Sequence, residues 1–280
     1  MLSWASKLAM LKGAVLKGPE ADEDMTRKVA QTTDLGIAER LLLLFCNDPK
    51  PVPMVHYDEG TALNELTSIF NDLSQKIRGR RVVDFGCGLG YQVVALAEAG
   101  ASFVTGIEHN AALASQAQAR LEQHGLGDRA HIRPDLGDEK ADIIISQNSF
   151  EHFEKPDAIL ELWKRALAPG GTIYVTFGPL WFSPTGSHMG FFCSLPWANL
   201  LFSERVVISA RSRYRDDGAS NYTEAGLGKM SLAKFERVVK DSGLSVQWRR
   251  YDCVRRANFL HHVSVVRELF VNRVSCILTA

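Results

Sequence analysis

From Arg81 onward the chain alternates short apolar runs with amphipathic stretches, and this alternation limits the possible folds more than any other feature. Arg81-Val82-Val83-Asp84-Phe85 reads as a short buried strand, followed by a glycine-rich turn and a helix over Tyr91–Ala99. Ser102–Ile107 is a second strand. Ala111–His124, rich in Ala, Gln and Leu and stopped by Gly125, is a helix, and Ala130–Arg133 is a third strand. Ala141–Ser146 is a fourth strand, and the unbroken apolar run inside it, Ile143–Ile145, suits a strand covered on both faces. Pro156–Ala168 has proline near its start and Pro169-Gly170-Gly171 after its end, the punctuation of a helix. Thr172–Phe177 is a fifth strand. Strands alternating with helices predict a parallel sheet wound by right-handed crossovers.

Residues 178–229 interrupt the rhythm with aromatics, glycine and proline, and later with charge. Beyond them Ser231–Ser242 reads as a helix, Leu244–Tyr251 as a strand, Ala257–Leu269 as a helix and Asn272–Leu278 as a last strand. The expectation is one α/β, Rossmann-like, doubly wound domain over 79–280, with an insertion at 178–229 after the fifth strand. Residues 1–78 form a helical extension or lid. Within it, 1–45 is helical, prolines 49, 51 and 53 break regular structure, and Thr61–Ile77 is one amphipathic helix with Leu63, Leu66, Ile69, Phe70, Leu73 and Ile77 on one side.

Composition excludes several function classes. Lys and Arg together number 32, as do Asp and Glu, so the formal net charge is zero and no nucleic-acid partner is expected. None of the five cysteines forms a Cys-x-x-Cys pair, which argues against a metal site, and scattered single cysteines fit a reducing, cytoplasmic compartment. No apolar run approaches the roughly 20 residues of a membrane span. Trp4, Leu8, Leu11 and Val15 make a helical stripe within residues 1–17, which could touch a membrane surface. Lys7, Lys12 and Lys17 are spread around that helix, which favours packing on the domain instead. Oligomeric state is open.

The chemistry concentrates at Val82-Val83-Asp84-Phe85-Gly86-Cys87-Gly88-Leu89-Gly90, which ends a strand and opens a helix. Glycines there let the backbone approach a ligand, as in dinucleotide sites. Asp84 changes the balance: a carboxylate just before the first glycine would repel a diphosphate and suits a ligand with a cationic amino group. Glu108 closes the second strand, where an acidic residue is expected to accept ribose hydroxyls.

This window resembles motif I of the class I S-adenosylmethionine-dependent methyltransferases, hydrophobic-hydrophobic-D/E-hydrophobic-G-x-G-x-G. Ser146-Gln147-Asn148-Ser149-Phe150-Glu151-His152 is similar to a stretch ending in Glu-His in small-molecule members of the ubiquinone-biosynthesis type. Pro169-Gly170-Gly171 resembles their L-x-P-G-G turn. The resemblance covers Val82 to Phe177 and, more loosely, roughly the last fifty residues. It implies a seven-stranded sheet, mostly parallel with an antiparallel last strand, and S-adenosyl-L-methionine as cofactor. It places Asp84, Gly86, Cys87, Gly88, Gly90 and His109 around the cofactor, Glu108 at its ribose, and Asp135 and Leu136 at its adenine. Gln147, and Tyr57 of His56-Tyr57-Asp58, fall at its methionine half.

His152 is the sharpest catalytic candidate, since imidazole exchanges protons near neutral pH. The alternative is a histidine that merely anchors the following helix. His188 is a second candidate, as polar anchor of an acceptor pocket made by Trp181, Phe182, Phe191, Phe192 and Trp197. Those aromatics could equally form a satellite core under a long loop. Arg205, Arg211, Arg213 and Arg215 read as a solvated face rather than an anion site. The expected function is methyl transfer to a small-molecule or glycan acceptor, on oxygen, nitrogen or carbon. The glycine turn and Glu108 also admit an NAD-dependent oxidoreductase, disfavoured by Asp84 and by the lack of a Tyr-x-x-x-Lys pair. A methyltransferase fold with other chemistry, such as a cyclisation, is the third possibility.

Overall fold

The computed structural model describes residues 36–47, 60–190, 192–215, 217–264 and 266–280. The stripe within residues 1–17, His56-Tyr57-Asp58 and Phe191 lie outside the described residues.

Seven strands form one sheet: β1 (Arg81–Phe85), β2 (Phe103–Ile107), β3 (Ala130–Arg133), β4 (Ala141–Gln147), β5 (Leu167–Phe177), β6 (Ser245–Cys253) and β7 (Val271–Thr279). Their order is β3-β2-β1-β4-β5-β7-β6. The first five are parallel, and β7 runs antiparallel to both β5 and β6, as expected. The order reverses between β1 and β4, and the crevice beyond the carboxyl ends of strands at such a switch point is where ligands bind in open α/β sheets.

Helices cover both faces. Ahead of the sheet come α1 (Ile37–Leu43), α2 (Asn64–Ile69) and α3 (Leu73–Lys76). The crossovers are α4 (Tyr91–Glu98), α5 (Ala111–Gln123) and α6 (Pro156–Ala166). Then follow α7 (Ala198–Leu201), α8 (Glu204–Ser212), α9 (Leu232–Ser242) and the single turn α10 (Arg267–Phe270). Asn110 caps α5 through its side-chain oxygen, which accepts from the amides of Ala112 and Leu113. One apolar core joins Trp163 of α6 and Phe235 of α9 to Ile144, Val175 and Val274 of the sheet. The opposite face packs Leu66, Ile69, Leu73 and Ile77 against Val82, Val104 and Ile143.

Two helices expected from the sequence are broken. Thr61–Ile77 divides into α2 and α3, because Phe70 leaves the helical region at φ −115° and ψ 84°. That turn sets its ring edge-on to Tyr174 and Trp248, with centroids 5.2 and 5.6 Å away, so the apolar side stays buried although the helix does not continue. Ala257–Leu269 holds 3-10 turns over Asn258–His262 before α10. There the Asn258 side chain accepts from the Cys253 amide at 2.9 Å, the local competition that makes asparagine a poor helix former.

The insertion builds a core of its own. Met189, Phe192, Cys193, Ala198, Val207 and Ile208 pack with Leu42 of α1, away from the two cores that flank the sheet. Two of its arginines make ion pairs, and Arg205 is exposed as expected of a solvated face. Arg211 is 7% exposed and its Nη1 lies 2.7 Å from Asp217 Oδ1, while Arg213 reaches Glu39 of α1 at 3.2 Å.

Candidate active site

Strand register places the expected residues along one rim. Phe85 pairs with Ile107, so the turn after β1 lies beside Glu108; the amides of Gly86 and Cys87 both donate to Ile107 O, at 2.9 and 3.0 Å. The Glu108 amide donates to Arg133 O, which brings Asp135 and Leu136 to the same edge. Asp84 pairs with Ile145, so Gln147 to His152 begin just past the glycine turn. The order along the rim is thus Asp135, Glu108, the glycine turn, then Gln147 to His152.

The turn is held from below. Gly86, Gly88 and Gly90 have φ of 86°, 56° and 81°, the left-handed region that glycine tolerates. Their roles differ. A Cβ on Gly90 would lie 2.8 Å from Ala117 Cβ, so this glycine lets α4 close on α5 and does not need a ligand to explain it. The Cys87 thiol lies 2.9 Å from where a Gly106 Cβ would stand and packs inward, leaving only the Cys87 backbone for the rim. Arg120 donates to Leu89 O at 3.1 Å and stacks its guanidinium 3.6 Å from the Tyr91 ring centroid.

Two buried carboxylates flank the turn. Glu108 is 1% exposed; Oε2 accepts from Gly88 N at 3.0 Å and Oε1 from Asn110 N at 2.8 Å. A carboxylate only accepts hydrogen bonds, and its two oxygens at this rim suit two neighbouring hydroxyls such as those of a ribose. Asp84 is 2% exposed and its Oδ1 accepts from Gln92 Nε2 at 2.8 Å. No lysine or arginine occurs between Asp84 and Gly90. This donor set fits a cationic nucleoside and not a diphosphate. His109 is largely exposed, with Nδ1 3.8 Å from Glu108 Oε1. Asp135 is exposed, whereas the Leu136 side chain is 1% exposed and belongs to the core with Val83, Phe85 and Ile107.

Beyond β4 the polar groups are denser than the motif implied. Gln147 Nε2 donates to Glu65 Oε2 at 2.7 Å, and Glu65 Oε1 lies 3.0 Å from Arg273 Nη1. Glu65 sits on α2 and Arg273 on β7, so the extension, the end of β4 and the last strand meet at one point. Neither residue belongs to a recognisable motif. The available signal was a charge inside an otherwise apolar pattern: Glu65 between Leu63 and Leu66, and Arg273 in a run reading as buried strand.

His152 and His188 come together, with ring centroids 5.4 Å apart and edge to face. His152 Nδ1 faces Gly226 O, so Nδ1 carries the proton and Nε2 the lone pair. A Cβ on Gly228 would fall 2.8 Å from Glu151 O, which shows how closely the end of the insertion packs on this turn. His188 Nε2 donates to Pro179 O at 3.2 Å, and its Nδ1 is buried with no partner among the described residues. Burial, with help from His152, pushes His188 down to about 3. It therefore stays neutral at working pH and offers a hydrogen-bond acceptor rather than a base. Glu151 is 3% exposed; its Oε1 accepts from Gly178 N at 3.3 Å and burial pushes its carboxyl up. Among the described residues no group of three or more His, Cys, Asp or Glu could hold a metal ion, and no helix is long and apolar enough to cross a membrane.

Residues 83–175 match a protein family described as a methyltransferase domain. A Mycobacterium ulcerans protein named an uncharacterized methyltransferase is 26% identical over 266 residues, covering 91% of this chain and 98% of that protein. A Mycobacteroides abscessus protein of the same name is 30% identical over 178 residues, covering 59% of this chain and 66% of its own. An S-adenosylmethionine-dependent methyltransferase from Mesorhizobium loti shares the fold at 15% identity, with a TM-score of 0.51, covering 79% of this chain and 99% of that one.

Proposed function

The chain belongs to the class I S-adenosylmethionine-dependent methyltransferase superfamily, and from that premise we propose that it methylates a small-molecule or glycan acceptor held beside His152 and His188. The observation that carries the acceptor's location is a set of buried polar atoms without partners among the described residues: Asn148 Oδ1 and Glu151 Oε2 on the segment after β4, and His188 Nδ1, whose ring lies against that of His152. Buried polar atoms are ordinarily hydrogen-bonded, so such a group next to the cofactor rim is suited to a polar ligand.

The bound cofactor supplies a methyl group on a sulfonium, with a good leaving group. Asp84 and the backbone of Gly86 and Gly88 would hold its amino-acid end, Glu108 its ribose, and Asp135 its adenine. The chain's own task is alignment and proton removal. His152 Nε2, with its tautomer set by Gly226 O, accepts the proton of an acceptor hydroxyl or amine. The neutral His188 ring orients that group through Nδ1. The extension and the insertion close the two sides, since Glu65 reaches Gln147 and the insertion carries His188.

Incubation with S-adenosylmethionine labelled in its methyl group, across phenolic, carboxylic and sugar acceptors, tests the proposal. Label on a small acceptor, with turnover lowered in His152→Gln and cofactor affinity retained, is the expected result. Label found solely on protein or nucleic acid would overturn the acceptor assignment.

A further inference from the structure

Two of the five cysteines, far apart in sequence, face each other across an isolated antiparallel bridge. Cys46 follows α1, and Cys193 lies in the insertion. The flanking hydrogen bonds run from Ser194 N to Phe45 O at 2.9 Å and from Asn47 N to Phe192 O at 2.8 Å. With these bonds on either side, Cys46 and Cys193 form a non-hydrogen-bonded pair, the arrangement in which opposed Cα atoms approach to about 4.5 Å and side chains lie closest. A disulfide spans Cα separations of roughly 4.4–6.8 Å, so the backbone is already placed for one. Both residues are free thiols, and Cys46 donates to Leu42 O at 3.4 Å. Cys87, Cys253 and Cys276 have no such opposite number among the described residues.

We infer that Cys46 and Cys193 are a disulfide-forming pair, oxidised by hydrogen peroxide, which locks α1 to the insertion. One thiol loses its proton and attacks a peroxide oxygen, giving a sulfenic acid and one water. The second sulfur then attacks the sulfenic sulfur; the S–S bond forms and a second water leaves. Two thiols give up two electrons and two protons for each peroxide reduced to two waters. Burial and the neighbouring thiol raise Cys46 to about 12, so it stays protonated at neutral pH and the oxidation accelerates as pH rises. The bond would fix the chain just ahead of residues 48–59 to the segment that carries His188. It would thereby join the extension to the insertion without touching the sheet.

The test needs no substrate. The full-length protein is treated with hydrogen peroxide, denatured, alkylated and mapped by mass spectrometry after proteolysis. The expected product has two alkylatable thiols fewer than the untreated protein, carries a Cys46–Cys193 cross-linked peptide, and regains both thiols with dithiothreitol. Cys46→Ala and Cys193→Ala should each abolish that peptide. Full retention of the alkylatable thiols in the treated wild type overturns the inference. So does a result in which the two sulfurs end as separate sulfinic acids or pair between copies. Because the wild-type map decides the question, a variant that folds poorly does not weaken the test.

Discussion

Glu65 Oε1 lies 3.0 Å from Arg273 Nη1, an ion pair that joins a helix ahead of the domain to the last strand of its sheet. The two side chains are 16% and 10% exposed, so removing one leaves the other poorly solvated. Glu65→Ala should destabilise the fold by about 3 kcal/mol, the range for breaking a buried pair. Glu65→Ala with Arg273→Met should recover part of that loss, because the stranded cation is gone. Urea unfolding of the two singles and the double closes the cycle, and strictly additive effects would show that the pair is not coupled.

Glu108 holds the glycine turn before any ligand arrives, through Gly88 N and Asn110 N. Glu108→Ala therefore acts twice. The fold should lose about 2 kcal/mol from two buried charge-assisted bonds, and affinity for S-adenosylmethionine should fall by on the order of 1–3 kcal/mol. Thermal unfolding and calorimetric titration read the two effects separately. Unchanged affinity would remove Glu108 from the cofactor site.

Local pattern made the central sheet legible. Val82–Phe85 and Ala141–Ser146 are short, mainly apolar segments, each carrying one aspartate, and the glycine turn and Glu108 lie at distances set by one strand-helix-strand unit. What was not legible depends on pairing between distant segments. Arg273 could be seen as a charge in a strand, but its meeting with Glu65 follows from α2 crossing the rim. Cys46 and Cys193 looked like isolated cysteines because only the packing of α1 on the insertion opposes them. Gly90 read as part of a ligand cradle, yet its space is needed by Ala117. Ala257–Leu269 had a helix-like run of apolar residues, and the Asn258 side chain redirects it.

The three glycines of the turn should separate on substitution. Gly90→Ala brings a Cβ to 2.8 Å from Ala117 Cβ at a φ of 81°, so α4 and α5 must move apart. The expected cost is about 2 kcal/mol of stability, from overpacking and left-handed backbone together. Gly88→Ala, at φ 56°, should cost less stability and more affinity, since its amide faces Glu108 at the rim. Equal stability loss in both variants, with equal affinity, would show that the turn has no ligand-facing member.

His188 and Glu151 should pull the stability of the protein in opposite directions as pH changes. His188 titrates at about 3 in the fold, against 6.5 for an ordinary histidine. Between those values the unfolded chain binds a proton that the native protein refuses. This contribution is therefore complete above pH 6.5 and is lost as pH falls toward 3. Glu151 is raised from 4.5 by burial, so its native carboxyl keeps a proton that the unfolded chain releases. Its contribution is complete below pH 4.5 and is lost as pH rises through the native value. Thermal midpoints of the wild type, His188→Phe and Glu151→Gln, measured from pH 4.5 to 7, separate the two. His188→Phe should flatten the acid-side loss of stability, and Glu151→Gln should steepen it. An unchanged acid slope in His188→Phe would mean that this ring titrates as an exposed histidine. His188 would then compete with His152 as a proton acceptor, and the division of roles between the two rings would fail.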